Sequence, residues 1–184
     1  MDAFHVVRLA GDAVDQCCRR VQRPLYGHRG RRDDPLYRAR RTLLTGEAVL
    51  TDKQRAQVMT LFSTDLHVQV EAAWGIYQRM VTAYRTPDPA AGRAAIAAVI
   101  DTLSSGDPAE LVELRRLSRT LNQRAADVLA YFDRPGTSNG PTEAINGRLE
   151  HLRGIALGFR TLSNYIARAL LETGGFRPRL HPQL

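Results

Sequence analysis

The chain reads as a mainly α-helical protein with at most one or two short strands. Three observations predict this. Apolar residues recur at threes and fours over long stretches, the spacing that lines one face of a helix. Helix openings are signposted: Asp88-Pro89, Asp107-Pro108 and Gly140-Pro141 each place a proline at a first helical position. Between the periodic stretches stand turn formers such as Gly46, Ser104-Ser105-Gly106 and Pro135-Gly136. A length of 184 residues is enough to bury a full core in one domain.

The elements follow in order. Residues 4–22 form a helix, with Val7, Ala10, Val14, Cys17, Cys18 and Val21 on one face. Arg8, Asp12, Asp15, Arg19 and Arg20 lie mostly opposite, and Pro24 is read as its stop. Residues 26–35, with Gly27, Gly30, Asp33 and Asp34, read as a polar loop. Within it Arg29, Arg31 and Arg32 form the densest basic cluster of the chain, which fits either a DNA-backbone contact or a solvated loop. Thr51 caps a helix over 52–62, and Thr64 or Asp65 caps the next, over 66–85. In the latter, Leu66, Val70, Ala73, Trp74, Tyr77, Met80, Val81 and Tyr84 make one apolar stripe. Aromatic side chains stack on bases in some nucleic-acid-binding proteins, but at this spacing they read as core.

An Ala-rich helix over 90–103 follows. Asp107 as cap, Pro108 in first place and Glu110 in third then open a helix that runs to Phe132. Its apolar stripe holds Leu114, Leu121, Val128 and Phe132. Arg115, Arg116, Arg119 and Arg124 lie mostly off that stripe and read as solvated, because Glu113 and Asp127 share the surface. A helix over 141–153 and a last one over 162–171 complete the set. The tail, with Gly174-Gly175, Pro178 and Pro182, reads as frayed.

Charge favours a polyanionic partner. The formal charge is +7 and the isoelectric point about 10.1. Lys53 is the only lysine, so the positive charge is almost wholly arginine. Arginine makes bidentate contacts with phosphate that lysine cannot copy, although a GC-rich coding sequence gives the same bias. Residues 1–41 carry ten Arg against five acids and residues 134–184 seven against three, whereas residues 42–133 carry nine basic against eleven acidic residues. The excess therefore sits in the two end segments. Adjacent Cys17 and Cys18 neither bridge each other nor make a spaced metal motif, which fits a reducing cytoplasm. No apolar run approaches the roughly 18 residues of a membrane span, and no signal-peptide pattern opens the chain.

The chemistry-bearing stretch is Thr137 to Arg160. Glu143 is the only carboxylate between Asp133 and Glu150, and it stands among Asn139, Asn146, Arg148 and Arg153. Near unpaired N–H groups of a helix start and beside cations, it stays ionised. That suits a ligand holding a divalent metal against phosphate; it equally suits an acid that merely complements the helix dipole. His5 reads either as a phosphate or proton-handling group or as a structural side chain. His28, His67, His151 and His181 have no partner at metal-ligand spacing. Hydrolase triads, Gly-rich phosphate loops and cysteine-based zinc sites find no support.

The segment Ser138-Asn139-Gly140, Glu143, Asn146, Arg153, Gly158-Phe159 resembles the C-terminal signature of bacterial insertion-sequence transposases with a DDE triad on an RNase H-like core. The opening Asp2-Ala3-Phe4-His5-Val6-Val7 resembles the catalytic Asp and helix start of the same family, and Asp33-Asp34-Pro35-Leu36 and the Arg-rich run into Leu43-Leu44 are similar too. The resemblance implies a truncated RNase H-like core with a helical insertion. Its second catalytic acid is Asp2 and its third Glu143, together holding Mg²⁺, a hard cation suited to carboxylate oxygens. Residues 1–45 become a partial core with a short strand over 39–44, residues 46–133 the helical insertion, residues 134–173 the helices bearing the third acid, and residues 174–184 a tail. Arg29, Arg31, Arg32, Asn139, Asn146, Arg148 and Arg153 become DNA contacts.

In this pattern the first acid lies upstream of Asp2, so the chain is expected to be a C-terminal transposase fragment without activity of its own. Its implied partner is transposon-end DNA. Full-length transposase or a second copy of the chain are further expected partners, and poor solubility alone is expected from uncovered apolar faces. The alternatives are a non-catalytic arginine-rich helical DNA-binding protein, or a decayed remnant that modulates full-length transposase.

Overall fold

The computed structural model describes residues 2–27, 31–32, 34–106, 111–134, 140–156 and 158–173. Among these residues there are helices and no strand. The fold class is mainly α. The chain divides into two units, Met1–Thr137 and Ser138–Leu184.

In the first unit, α1 (Ala3–Tyr26) starts where the Asp2 carboxylate accepts the Phe4 N–H at 2.7 Å. Its buried face carries Val6, Ala10, Val14, Cys17 and Val21 at helical spacing. Pro24 does not stop it. A proline in the last turn costs a single N–H, and the helix runs on until Gly27 turns the chain at φ 69°, its N–H bonding to Arg23 O at 3.0 Å.

The strand expected over 39–44 is a helix instead. Helix α2 (Pro35–Leu43) opens on Asp34, whose carboxylate accepts the Tyr37 N–H at 3.1 Å, with Pro35 in the first turn. Leu36, Ala39 and Leu43 are all fully buried, and their spacing of three and four selects a helix over a two-residue alternation.

Helix α3 (Asp52–Phe62) has a complete capping box between Thr51 and Gln54. A 3-10 turn over Asp65–His67, capped by Thr64, leads into α4 (Val68–Arg85). Helix α5 (Pro89–Ser105) opens on the Asp88 cap. The single helix expected to end at Phe132 is two, α6 (Val112–Gln123) and α7 (Ala125–Asp133), broken at Arg124. The Asn122 side chain supplies a reason. Its amide donates to Ser118 O at 2.9 Å and to Ser104 Oγ at 2.7 Å, competing with the helix ladder just before the break.

Helix α1 packs against α4 and also against α2, α6 and α7, while α5 joins α4, α6 and α7. Their buried faces merge into one core that includes Val14, Leu36, Leu43, Met80, Ile96, Leu121 and Val128. Trp74 packs at its edge against Phe62, as its helical spacing predicts. Helix α5 approaches closely at Gly92, where a Cβ would meet Phe132 Cε1 at 2.7 Å and Ala83 O at 2.8 Å.

In the second unit, α8 (Gly140–Ile155) and α9 (Leu162–Thr173) pack on each other. Gly158 turns the chain between them at φ 97°, a conformation other residues rarely adopt. The tail read as frayed, residues 174–184, lies outside the described residues. No described helix is long and apolar enough to cross a membrane.

Candidate functional site

Asp2 is half-buried at the start of α1, where its N-cap bond fixes the carboxylate. The connection from α2 to α3 is drawn toward this end of the molecule by α4. Tyr77 donates its hydroxyl to Leu44 O at 2.6 Å, Gln78 Nε2 donates to Thr45 O at 2.9 Å, and Gln78 Oε1 accepts the Glu47 N–H at 2.8 Å. The result is a groove of about 470 Å³ lined by Phe4, Leu44, Val49, Tyr77, Tyr84 and Arg85, among others. Tyr84 stacks on Phe132 and meets Tyr131 edge-on. Burial first, then the neighbouring Tyr131 and the Asp2 carboxylate, push its phenol well above the ordinary tyrosine range. Tyr84 is thus a neutral hydroxyl at the Asp2 end of the groove. His5 meets the Phe4 ring edge-on.

Glu143 sits in the first turn of α8, exposed, as the Gly140-Pro141 start predicts. With 3.6 residues per turn, Asn146, Glu150 and Arg153 fall on the same side of the helix as Glu143, whereas Arg148 lies roughly 140° around the axis. Arg153 pairs with Glu150 at 2.8 Å on an exposed face. Three signature residues converge: Arg153, Gly158 and Phe159 line a small pocket of about 350 Å³ together with Tyr165. The Gly158 N–H bonds to Arg153 O at 3.2 Å, and Phe159 contacts the Tyr165 ring. The signature glycine is therefore a backbone requirement of the α8–α9 turn.

Asp2 belongs to the first unit and Glu143 to the second. Among the described residues no group of three or more His, Cys, Asp or Glu side chains is arranged to hold a metal. The two carboxylates are hard oxygen donors of the kind Mg²⁺ takes, and so fit that ion in chemistry. Arg31 and Arg32 are exposed in the connection between α1 and α2, where Arg31 O accepts the Asp34 N–H at 3.0 Å. Arg29 and Asn139 lie outside the described residues.

One polar cluster escaped the sequence reading. Glu113, read as part of a solvated surface, is buried, and Arg20 of α1 holds it with two bonds, Nε at 2.8 Å and Nη2 at 3.0 Å. Arg20 Nη1 also donates to Gln69 Oε1 at 2.6 Å, so one guanidinium ties α1, α4 and α6 together. Burial alone pushes the Glu113 carboxyl up. The Arg20 hydrogen bonds, a backbone N–H and the charges of Arg20 and Arg116 outweigh that and hold it below the usual range. Ninety-three residues separate the partners, so no local pattern signals the pair.

Comparison with known proteins supplies what geometry leaves open. No curated protein and no solved structure matches the chain significantly. The ISL3-type DDE transposase family model, described as transposase, matches residues 1–169. That span includes Asp2, Glu143, the whole first unit and the second as far as residue 169, within α9, and the chain belongs to this transposase family.

Proposed function

We propose that this chain carries the second and third carboxylates, Asp2 and Glu143, of a Mg²⁺-dependent strand-transfer site acting on transposon-end DNA. The observation that carries the reading is the transposase match, which runs from one acid through the other. In this reading α1 and α8 are helices of an RNase H-like core; no strand of such a core is among the described residues. When bound, Mg²⁺ supplies the Lewis acidity that activates water, and then a DNA 3′-hydroxyl, for in-line attack on a phosphodiester.

The protein's part is to position charge. The N-cap bond to Phe4 aims the Asp2 carboxylate, and Glu143 stands in the opening turn of α8. Exposed Arg148, Arg31 and Arg32 are available to phosphate, and Asn146 shares the Glu143 face.

The test uses a protein extended upstream to include a strand bearing the remaining acid, with end-labelled transposon-end duplexes and Mg²⁺. Glu143→Gln abolishes cleavage while leaving DNA binding intact. Retained cleavage in that variant refutes the assignment.

A further inference from the structure

Beside the C-terminal end of α1 lies a cleft that the catalytic reading does not use. It is about 650 Å³, within the range of sites that enclose most of a small ligand, and lies between α1, α2 and α3. Tyr26, Arg38, Lys53, Gln57, Thr64 and His67 supply its polar lining. Among the described residues no carboxylate lines it: Asp34, Asp52 and Asp65 are close in sequence but are not among its wall residues. The charged groups among its described lining residues are two cations, Arg38 from α2 and Lys53 from the first turn of α3, both exposed.

His67 is a second, independent observation. It is 3 % exposed, and its Nδ1 stands 2.7 Å from Leu61 O. A carbonyl only accepts, so Nδ1 carries the proton and donates it. Nε2 is buried with no hydrogen-bond partner among the described residues, a state that buried polar atoms rarely keep. A site with exposed cations, an aromatic wall and an unanswered imidazole nitrogen matches a nucleotide: an anionic phosphate on one side, a polar ring system on the other. The surroundings favour a strand over a free molecule. Arg41, one turn further along α2, and Arg31 and Arg32 before it are all exposed and continue the positive charge past the cleft.

We infer that the α1–α2–α3 cleft is a nucleic-acid docking site in which Arg38 and Lys53 hold phosphates of a DNA strand, with the attached nucleotide against Tyr26 and His67. This rests on the transposase reading but not on the Asp2 and Glu143 assignment.

Fluorescence anisotropy of the full chain with labelled single-stranded and duplex DNA, at stepped salt, tests it. Arg38→Gln with Lys53→Gln is expected to weaken binding about tenfold or more at 0.1 M salt and to reduce the magnitude of the log K against log salt slope by roughly 1.4–1.8. The control pair Arg79→Gln with Arg93→Gln removes the same charge from α4 and α5 and leaves binding within about threefold of wild type, on the order of what a diffuse field contributes. Thermal unfolding confirms that each variant folds. The His67 ring ¹⁵N resonances shift on adding strand to wild type and stay in place in the Arg38/Lys53 variant.

An unchanged slope in a folded Arg38/Lys53 variant overturns the cleft while leaving the transposase reading intact. Equal losses in the control pair overturn it as well, and so does displacement of the strand by micromolar deoxynucleoside monophosphate, which assigns the site to a free nucleotide. A wild-type chain that binds neither strand nor duplex sinks both readings.

Discussion

Removing Glu113 probes how the first unit is held together. Glu113→Ala leaves the Arg20 guanidinium with Gln69 as its remaining strong partner, on a side chain 36 % exposed. Breaking a fully buried pair from one side costs about 3–5 kcal/mol, because the surviving charge is stranded. Arg20 is not fully buried, and water reaching it screens and solvates the charge, so the expected loss is nearer 2–3 kcal/mol. For a unit of this size that corresponds to a fall of roughly 6–12 °C in melting temperature.

Replacing both partners, Arg20→Met with Glu113→Leu, removes the desolvation cost along with the attraction and should restore most of the loss. The assay is thermal unfolding followed at 222 nm for wild type, both single variants and the double, read as a cycle. The pair also predicts a pH dependence. The folded carboxyl titrates below its unfolded value of about 4.3, so its stabilisation is present above that pH and drains away as pH falls through the lower folded value. Wild type should lose its advantage over Glu113→Gln on acidification below about pH 4. A loss under about 0.5 kcal/mol for Glu113→Ala, or an advantage that persists in acid, refutes the clamp.

Three further outcomes are expected. Gly92→Ala pushes a methyl into Phe132 and the Ala83 carbonyl and should destabilise the first unit by about 1–3 kcal/mol in urea unfolding; a neutral result means α5 can shift freely. Thr51→Ala removes the capping box of α3 and should cost about 1 kcal/mol in the same assay. Asp2→Asn keeps the N-cap of α1 and should unfold like wild type, whereas Asp2→Ala loses about 1 kcal/mol. Both should abolish Mg²⁺-dependent cleavage in the upstream-extended protein, and a cleaving Asp2→Asn reduces Asp2 to a cap.

Helix starts and apolar periodicity are local properties, and they carried most of the fold. Thr51 with Gln54, Asp88 with Pro89 and the stripe through Trp74 and Met80 all formed as their spacing dictates. Asp34-Pro35 is the same kind of signal, followed by Leu36, Ala39 and Leu43 at helical spacing. The strand expected there came from family resemblance and ran against the chain's own chemistry. The acids of the candidate site were legible only as motif residues, because a metal ligand and a helix cap use the same carboxylate at the same place.

The sequence by itself determined most of the helical segments, where most of those begin, and which family the motif resembles, since caps and period act within a few residues. Tertiary structure decided the rest. Pro24 is passed over because Gly27 supplies the actual turn, and the break at Arg124 follows Asn122 reaching back to Ser118 and across to Ser104. Glu113 is buried only because Arg20, ninety-three residues away, arrives to neutralise it. The cleft of Arg38, Lys53 and His67 likewise exists only once three helices meet. Burial and charge pairing depend on which faces are brought together, and no spacing along one helix encodes that.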